Sequence, residues 1–236
     1  ERGEERMERE RRESRRSAVA KEQRRKQLIR KRLIIRCVIG IVAFILGTGT
    51  GWLLRGTTIR KAIDLSAIKA PEWIDQQFLT VNPYSRPGTK LAAVNSIVVH
   101  YIGNPGTTAQ QNRDYFESLK NQSGSNTTSV SSNFIIGMDG EIIQCIPVDE
   151  KSFASNNRNS DTISIECCHP GEDGEFTEET YESLVKLTAW LCKELDLTTK
   201  DVIRHYDVTG KACPKNFSED EGAWKQFKKD VKKAMR

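Results

Sequence analysis

Between Cys37 and Leu54 the chain runs 18 residues without a charged side chain, directly after a densely charged arm. Few folds accept such a stretch. With Leu33–Ile35 added, it reaches the ~20 residues that cross ~30 Å of hydrocarbon as a helix. Arg36 lies near the basic end, where its stem can carry the charge out to the headgroups. Gly47, Gly49 and Gly51 would weaken a helix in water but are tolerated in lipid. A buried core helix fits poorly beside so charged an arm, and no small-residue cleavage site follows as a removed signal peptide would need. The expectation is a transmembrane helix over residues 33–54.

The charge distribution gives that helix a direction. Residues 1–36 carry 15 Lys and Arg against 7 Asp and Glu, whereas the rest of the chain carries 22 against 25. Positive residues before the span and few after it place a basic tail, residues 1–32, in the cytoplasm and the C-terminal part outside. This predicts a single-pass protein of the cell membrane whose tail touches anionic lipid. A net balance of −3 beyond residue 36 argues against nucleic acid as a partner. The chain begins at Glu1 and not at a methionine, as a piece of a longer protein would.

Residues 55–80 are weakly periodic and read as a stalk. From Val81 the texture becomes that of a folded domain, residues 81–236. Ser96–Tyr101 (SIVVHY) is a short β-branched run, hence a buried strand. Thr107 or Thr108 can cap a helix to about Lys120, with Tyr115, Phe116 and Leu119 facing inward. Asn133–Pro147 is two apolar runs around Asp139-Gly140, a hairpin signal. Thr162–Cys168 reads as another buried strand and Thr177 to about Leu195 as a helix. Val202–His205 reads as a short strand, and Glu219–Arg236 as an amphipathic helix carrying Trp224, Phe227 and Val231. Such a mixture predicts one α/β (α+β) domain, a central mixed sheet flanked by helices.

His100 and His205 each end an apolar strand, and Cys213 follows His205 by eight residues. Two imidazoles and a thiolate would leave tetrahedral zinc one open position, the pattern of a catalytic site. A histidine at a strand end is also a common core residue, and spacing alone leaves both readings open. The third histidine, His169 in CCHPG, either contacts substrate or caps the turn made with Pro170 and Gly171.

SIVVHYIGNPG, SSNFIIGMDGEIIQCIP, DTISIECC and RHYDVTGKACP occur in that order, and together they resemble the zinc-dependent N-acetylmuramoyl-L-alanine amidases. This family includes phage lysozyme-like amidases and animal peptidoglycan recognition proteins. The resemblance covers about Val81 to Phe217. It implies Zn2+ as cofactor, held by His100, His205 and Cys213, and peptidoglycan as substrate. It implies that the zinc activates water to cleave the amide between N-acetylmuramic acid and L-alanine of the stem peptide. Glu166, in an otherwise apolar run, matches the catalytic glutamate of bacterial members, a general base and then acid. Lys211 matches a lysine that steadies the oxyanion. Ser132 stands where some phage and animal members carry a catalytic tyrosine, which favours the Glu166 version. Asn133 stands where relatives often have histidine and is a candidate substrate contact together with His169. Members lacking the third ligand bind peptidoglycan without turnover, so a non-catalytic binding module or an anchored envelope scaffold is the alternative. Cys145, Cys167, Cys168 and Cys192 lie in apolar runs and read as small buried hydrophobes, not as a disulfide framework.

Overall fold

The computed structural model describes residues 63–236; the charged arm and the proposed membrane span lie outside them. Among the described residues, no helix is long and apolar enough to cross a membrane. Six strands form one sheet: β1 (Asp75–Gln76), β2 (Ser96–Tyr101), β3 (Phe134–Ile136), β4 (Ile142–Gln144), β5 (Thr162–Cys167) and β6 (Val202–Arg204). Their spatial order is β1-β4-β3-β5-β2-β6. All neighbouring pairs are parallel except the β3–β4 hairpin. The helices are α1 (Ala109–Ser118), α2 (Glu178–Glu194), α3 (His205–Thr209), α4 (Lys215–Glu219) and α5 (Glu221–Ala234). The expected mixed sheet flanked by helices is the observed one.

The central strands read as unbroken apolar runs because both faces of the sheet are covered. Side chains alternate between the faces. Ile97 and Val99 of β2, Ile163, Ile165 and Cys167 of β5, and Phe134 and Ile136 of β3 point to one face. Leu184, Leu187 and Leu191 of α2 and Trp224, Phe227 and Val231 of α5 close over them. On the opposite face a smaller cluster, Ile135, Ile143, Cys145 and Cys168, packs under Ala109 and Phe116 of α1. The cysteines at 145, 167, 168 and 192 are free and buried, as expected.

A polar clasp starts β2 and β5 in step. The Asn95 N–H donates to the Asp161 carbonyl at 2.8 Å, and Arg158 donates to Ser96 Oγ at 3.1 Å while paired with Asp161. Ser96 then faces Thr162, and four residues on His100 faces Glu166. The hairpin turns at Gly140, whose φ of +81° favours glycine. A Cβ there would also come within 2.9 Å of the Glu179 carbonyl of α2.

Several expectations need correction. The folded unit does not begin at residue 81: Leu65, Ile74 and Leu79 are buried, and β1 pairs with β4 inside the proposed stalk. β1 has only two residues, both exposed and polar, so no alternation announces it. Tyr115 is 50% exposed; within α1 and the 3-10 turn that follows, Phe116 and Leu119 face inward and Tyr115 does not. His205 does not end a strand; it opens α3, one residue beyond β6. The last helix is the expected one, running Glu221–Ala234 with Trp224, Phe227 and Val231 buried and Asp220 as its cap, but the short α4 before it is unforeseen.

Candidate metal centre

The C-terminal ends of β2, β5 and β6 converge on the α1 side of the sheet. His100, on that face of β2, is almost wholly buried. Glu166 is its register neighbour on β5, with Oε1 3.9 Å from His100 Nδ1. His205 is fixed by its neighbour Arg204, which pairs with Asp207 and Glu221 and donates to the Phe217 carbonyl. The two imidazole centroids lie 4.6 Å apart. Cys213 is carried by the loop after α3, which the Tyr206 N–H holds by donating to the Cys213 carbonyl at 2.8 Å. Its Sγ lies 3.9 Å from His100 Nδ1.

The ligating atoms of His100, His205 and Cys213 all fall within 4.8 Å of one another, a group able to hold a metal ion. Tetrahedral zinc spaces a sulfur and a nitrogen ligand about 3.5 Å apart, close to the 3.9 Å seen here. Electrostatics fit as well. Burial, followed by the charges of His205 and Lys211, holds His100 well below the ordinary imidazole range. Burial and Lys211 lower His205. Both rings are thus neutral, the ligating form. Burial, with the Glu166 carboxylate, pushes the Cys213 thiol up to about 12, against the Tyr101 N–H and Lys211. A thiol so placed ionises when a cation joins it. Glu166 is raised to about 8 by burial, which Lys211 opposes, and its Oε2 is buried with no hydrogen-bond partner.

These groups open into a cavity of about 640 Å³, walled by Thr107, Gln111 and Tyr115 on one side and Phe153 on another. Lys211, exposed on its loop, also lines it. The structure therefore brings five predicted residues together: His100, Glu166, His205, Lys211 and Cys213.

The other two do not join them. Asn133 is fully buried, and its amide donates to the Pro147 and Glu150 carbonyls while Oδ1 accepts from the Ser164 N–H. It ties the hairpin to β5 and has no free group to offer a substrate. His169 is buried too; its ring stacks on Tyr101, and its nitrogens face the carbonyls of Gly171 and Ile102. Of its two expected roles the turn cap is the one observed. Ser132 is buried and donates to the Phe134 carbonyl. Sequence reasoning missed Ser155 and Asn156, whose Oγ and Oδ1 lie 3.2 and 2.9 Å from Nε2 of His100 and His205. They sit in a polar loop about 50 residues from either histidine, and the Ser-Asn-Asn string was its only signal.

The profile of the N-acetylmuramoyl-L-alanine amidase family matches residues 90–216, more than half the chain and all five clustered residues. The chain belongs to this amidase family. The amidase CwlL of Bacillus licheniformis is 36% identical over 172 residues, covering 66% of this chain and 46% of that protein. A probable N-acetylmuramoyl-L-alanine amidase of the same species is 34% identical over 166 residues, covering 65% and 46%. The chain thus spans about half the length of the curated relatives it matches. Among solved structures, the catalytic domain of XlyA aligns with a TM-score of 0.55 at 26% identity, over 67% of this chain and 98% of that domain. The family match lies within the folded unit described above, and the residues preceding that unit lie outside residues 90–216.

Proposed function

We propose that this chain hydrolyses the amide between the lactyl group of N-acetylmuramic acid and L-alanine in peptidoglycan, with zinc held by His100, His205 and Cys213. Family membership supports the reaction, and the observation that carries it here is the partnerless Oε2 of Glu166 beside three converging ligands. Two neutral imidazoles and a thiolate suit zinc. Bound there, the ion supplies an activated water and a Lewis acid for the scissile carbonyl.

The protein's own groups do the rest. Glu166 takes a proton from the water as its oxygen bonds to the carbonyl carbon. The carboxyl that results then gives that proton to the alanine nitrogen as the C–N bond breaks. Products are a lactyl carboxylic acid, which gives its remaining proton to the released amine or to solvent, and a free alanine amine. Opposing the burial that raises the carboxyl of Glu166, the Lys211 ammonium favours its base form. The Lys211 ammonium steadies the negative charge that develops on the carbonyl oxygen.

The apolar run at 33–54 and the basic arm before it support a second part of the reading. The chain is anchored once in the cell membrane, N-terminus in the cytoplasm, with its catalytic unit facing the wall outside.

Incubation of the chain with purified peptidoglycan tests the reaction. New N-terminal alanine without new reducing sugar is the expected product. Reducing ends would indicate a glycosidase and overturn the proposal. Binding with neither product would assign a non-catalytic module.

A further inference from the structure

We propose that the Ser155–Asn156 turn is a positioning device that sets which nitrogen of each histidine is free to bind the metal. The inference rests on the metal reading above but concerns residues that the family match leaves without a role.

Each imidazole has two nitrogens, and a neutral ring can offer a lone pair from only one. At His100 it is Nδ1 that looks toward Cys213 and Glu166, both at 3.9 Å. Its Nε2 points the other way, onto Ser155 Oγ at 3.2 Å. At His205, Nε2 lies 2.9 Å from Asn156 Oδ1, which leaves Nδ1 as the nitrogen not engaged by this turn. The two contacts differ in what they enforce. An amide oxygen only accepts, so the facing Nε2 of His205 must carry the hydrogen, which leaves the Nδ1 lone pair free. A hydroxyl can donate or accept, so Ser155 accommodates the same tautomer at His100 without dictating it. Asn156 is therefore the stricter of the two.

The turn is built to hold these groups still before any ion arrives. Asn156 has a φ of +53°, a left-handed conformation that asparagine adopts more readily than most residues. Asn159 Oδ1 accepts from the Ser155 N–H at 2.6 Å and the Ala154 N–H at 3.1 Å. The Arg158 and Asn159 N–H groups donate to the carbonyls of Ser155 and Asn156. Arg158 in turn pairs with Asp161 and donates to Ser96 at the start of β2. One short segment, anchored to both central strands, thus reaches both candidate ligands from behind. Partners in this position commonly change metal affinity 10- to 100-fold when removed.

Asn156→Gly removes the amide while keeping a residue at ease at φ +53°, so the fold survives. In the metal-free chain, 15N spectra of labelled histidine should show His205 protonated at Nε2, and a mixture of tautomers in Asn156→Gly. Competition with a chromophoric zinc chelator should show affinity lower by about 10- to 100-fold. Asn156→Asp, which keeps an acceptor, should recover most of it. A parent His205 protonated at Nδ1 would overturn the inference, as would a glycine variant with unchanged tautomer and zinc affinity. A parent chain that binds no zinc would sink the proposed function instead, and the spectra of the metal-free chain would then decide this inference alone.

Discussion

The two faces of the sheet are made by the same strands and do opposite work. On the face under α2 and α5, β2 and β5 place Ile97, Val99, Ile163 and Ile165, all without exposed surface. On the face toward α1, the alternate positions include Ser164, Glu166 and His100. One face gains stability by removing apolar area from water, at roughly 25 cal/mol per Å². The other buries polar groups, which costs free energy unless each finds a partner. Ser164 has partners in Asn133 and Ser152, and His100 has Ser155. Glu166 Oε2 has none. The difference teaches that the proposed chemistry sits where the sheet leaves a polar atom without a partner, one residue away from its best packing.

If the faces are separable, substitutions on each should fail in different assays. Cys213→Ala should have the largest effect, losing zinc and several kcal/mol of transition-state stabilisation together. That corresponds to about a ten-thousandfold or greater loss of kcat/KM, measured by alanine release alongside metal analysis. Glu166→Gln should keep zinc and lose about 10²- to 10⁴-fold in kcat; full activity would remove the acid–base role.

On the packing face, Ile165→Ala should cost about 2–5 kcal/mol of stability by urea unfolding. Its zinc affinity should stay that of the parent. A fall in affinity would show that the faces are coupled.

The smallest effect belongs to Glu117, at the end of α1. Burial alone would raise its carboxyl, but hydrogen bonds from Lys120 and Thr80 outweigh that and hold it at about 2. A carboxyl lowered on folding contributes stability above its ordinary value of 4.5, and that contribution is lost as pH falls from 4.5 toward 2. Glu117→Gln should therefore cost about 1 kcal/mol at pH 7 and progressively less toward pH 2.

The sequence made the candidate cluster legible because its members carry rare chemistry at or just beyond strand ends. His100 and Glu166 each interrupt an apolar run, and Cys213 follows a short strand and a turn. What it could not show was direction and partnership. A polar residue in an apolar run can face a cavity, as Glu166 does, or satisfy buried backbone, as Asn133 does. Both look alike until the hairpin is folded against β5. His169 was ambiguous for the same reason. β1 has no apolar alternation to read, since Asp75 and Gln76 are exposed and polar at the sheet edge and pair with β4 through backbone and the Gln76–Gln144 amide contact. Asn156 was hidden by chain distance, since only tertiary structure brings it to His205.

The clasp at Asn95, Ser96, Arg158 and Asp161 lies at the end of the strands away from the reacting groups. Alternation has a period of two, so sliding β5 by two residues along β2 would leave every apolar side chain on its proper face. Burial is nearly blind to that error. The carboxylate is not, for it would sit about 7 Å from its place and His100 would meet Ser164 or Cys168 instead. The clasp is thus an alignment key: a few polar contacts at one end choose, among arrangements equally good as a core, the one in which Glu166 meets His100.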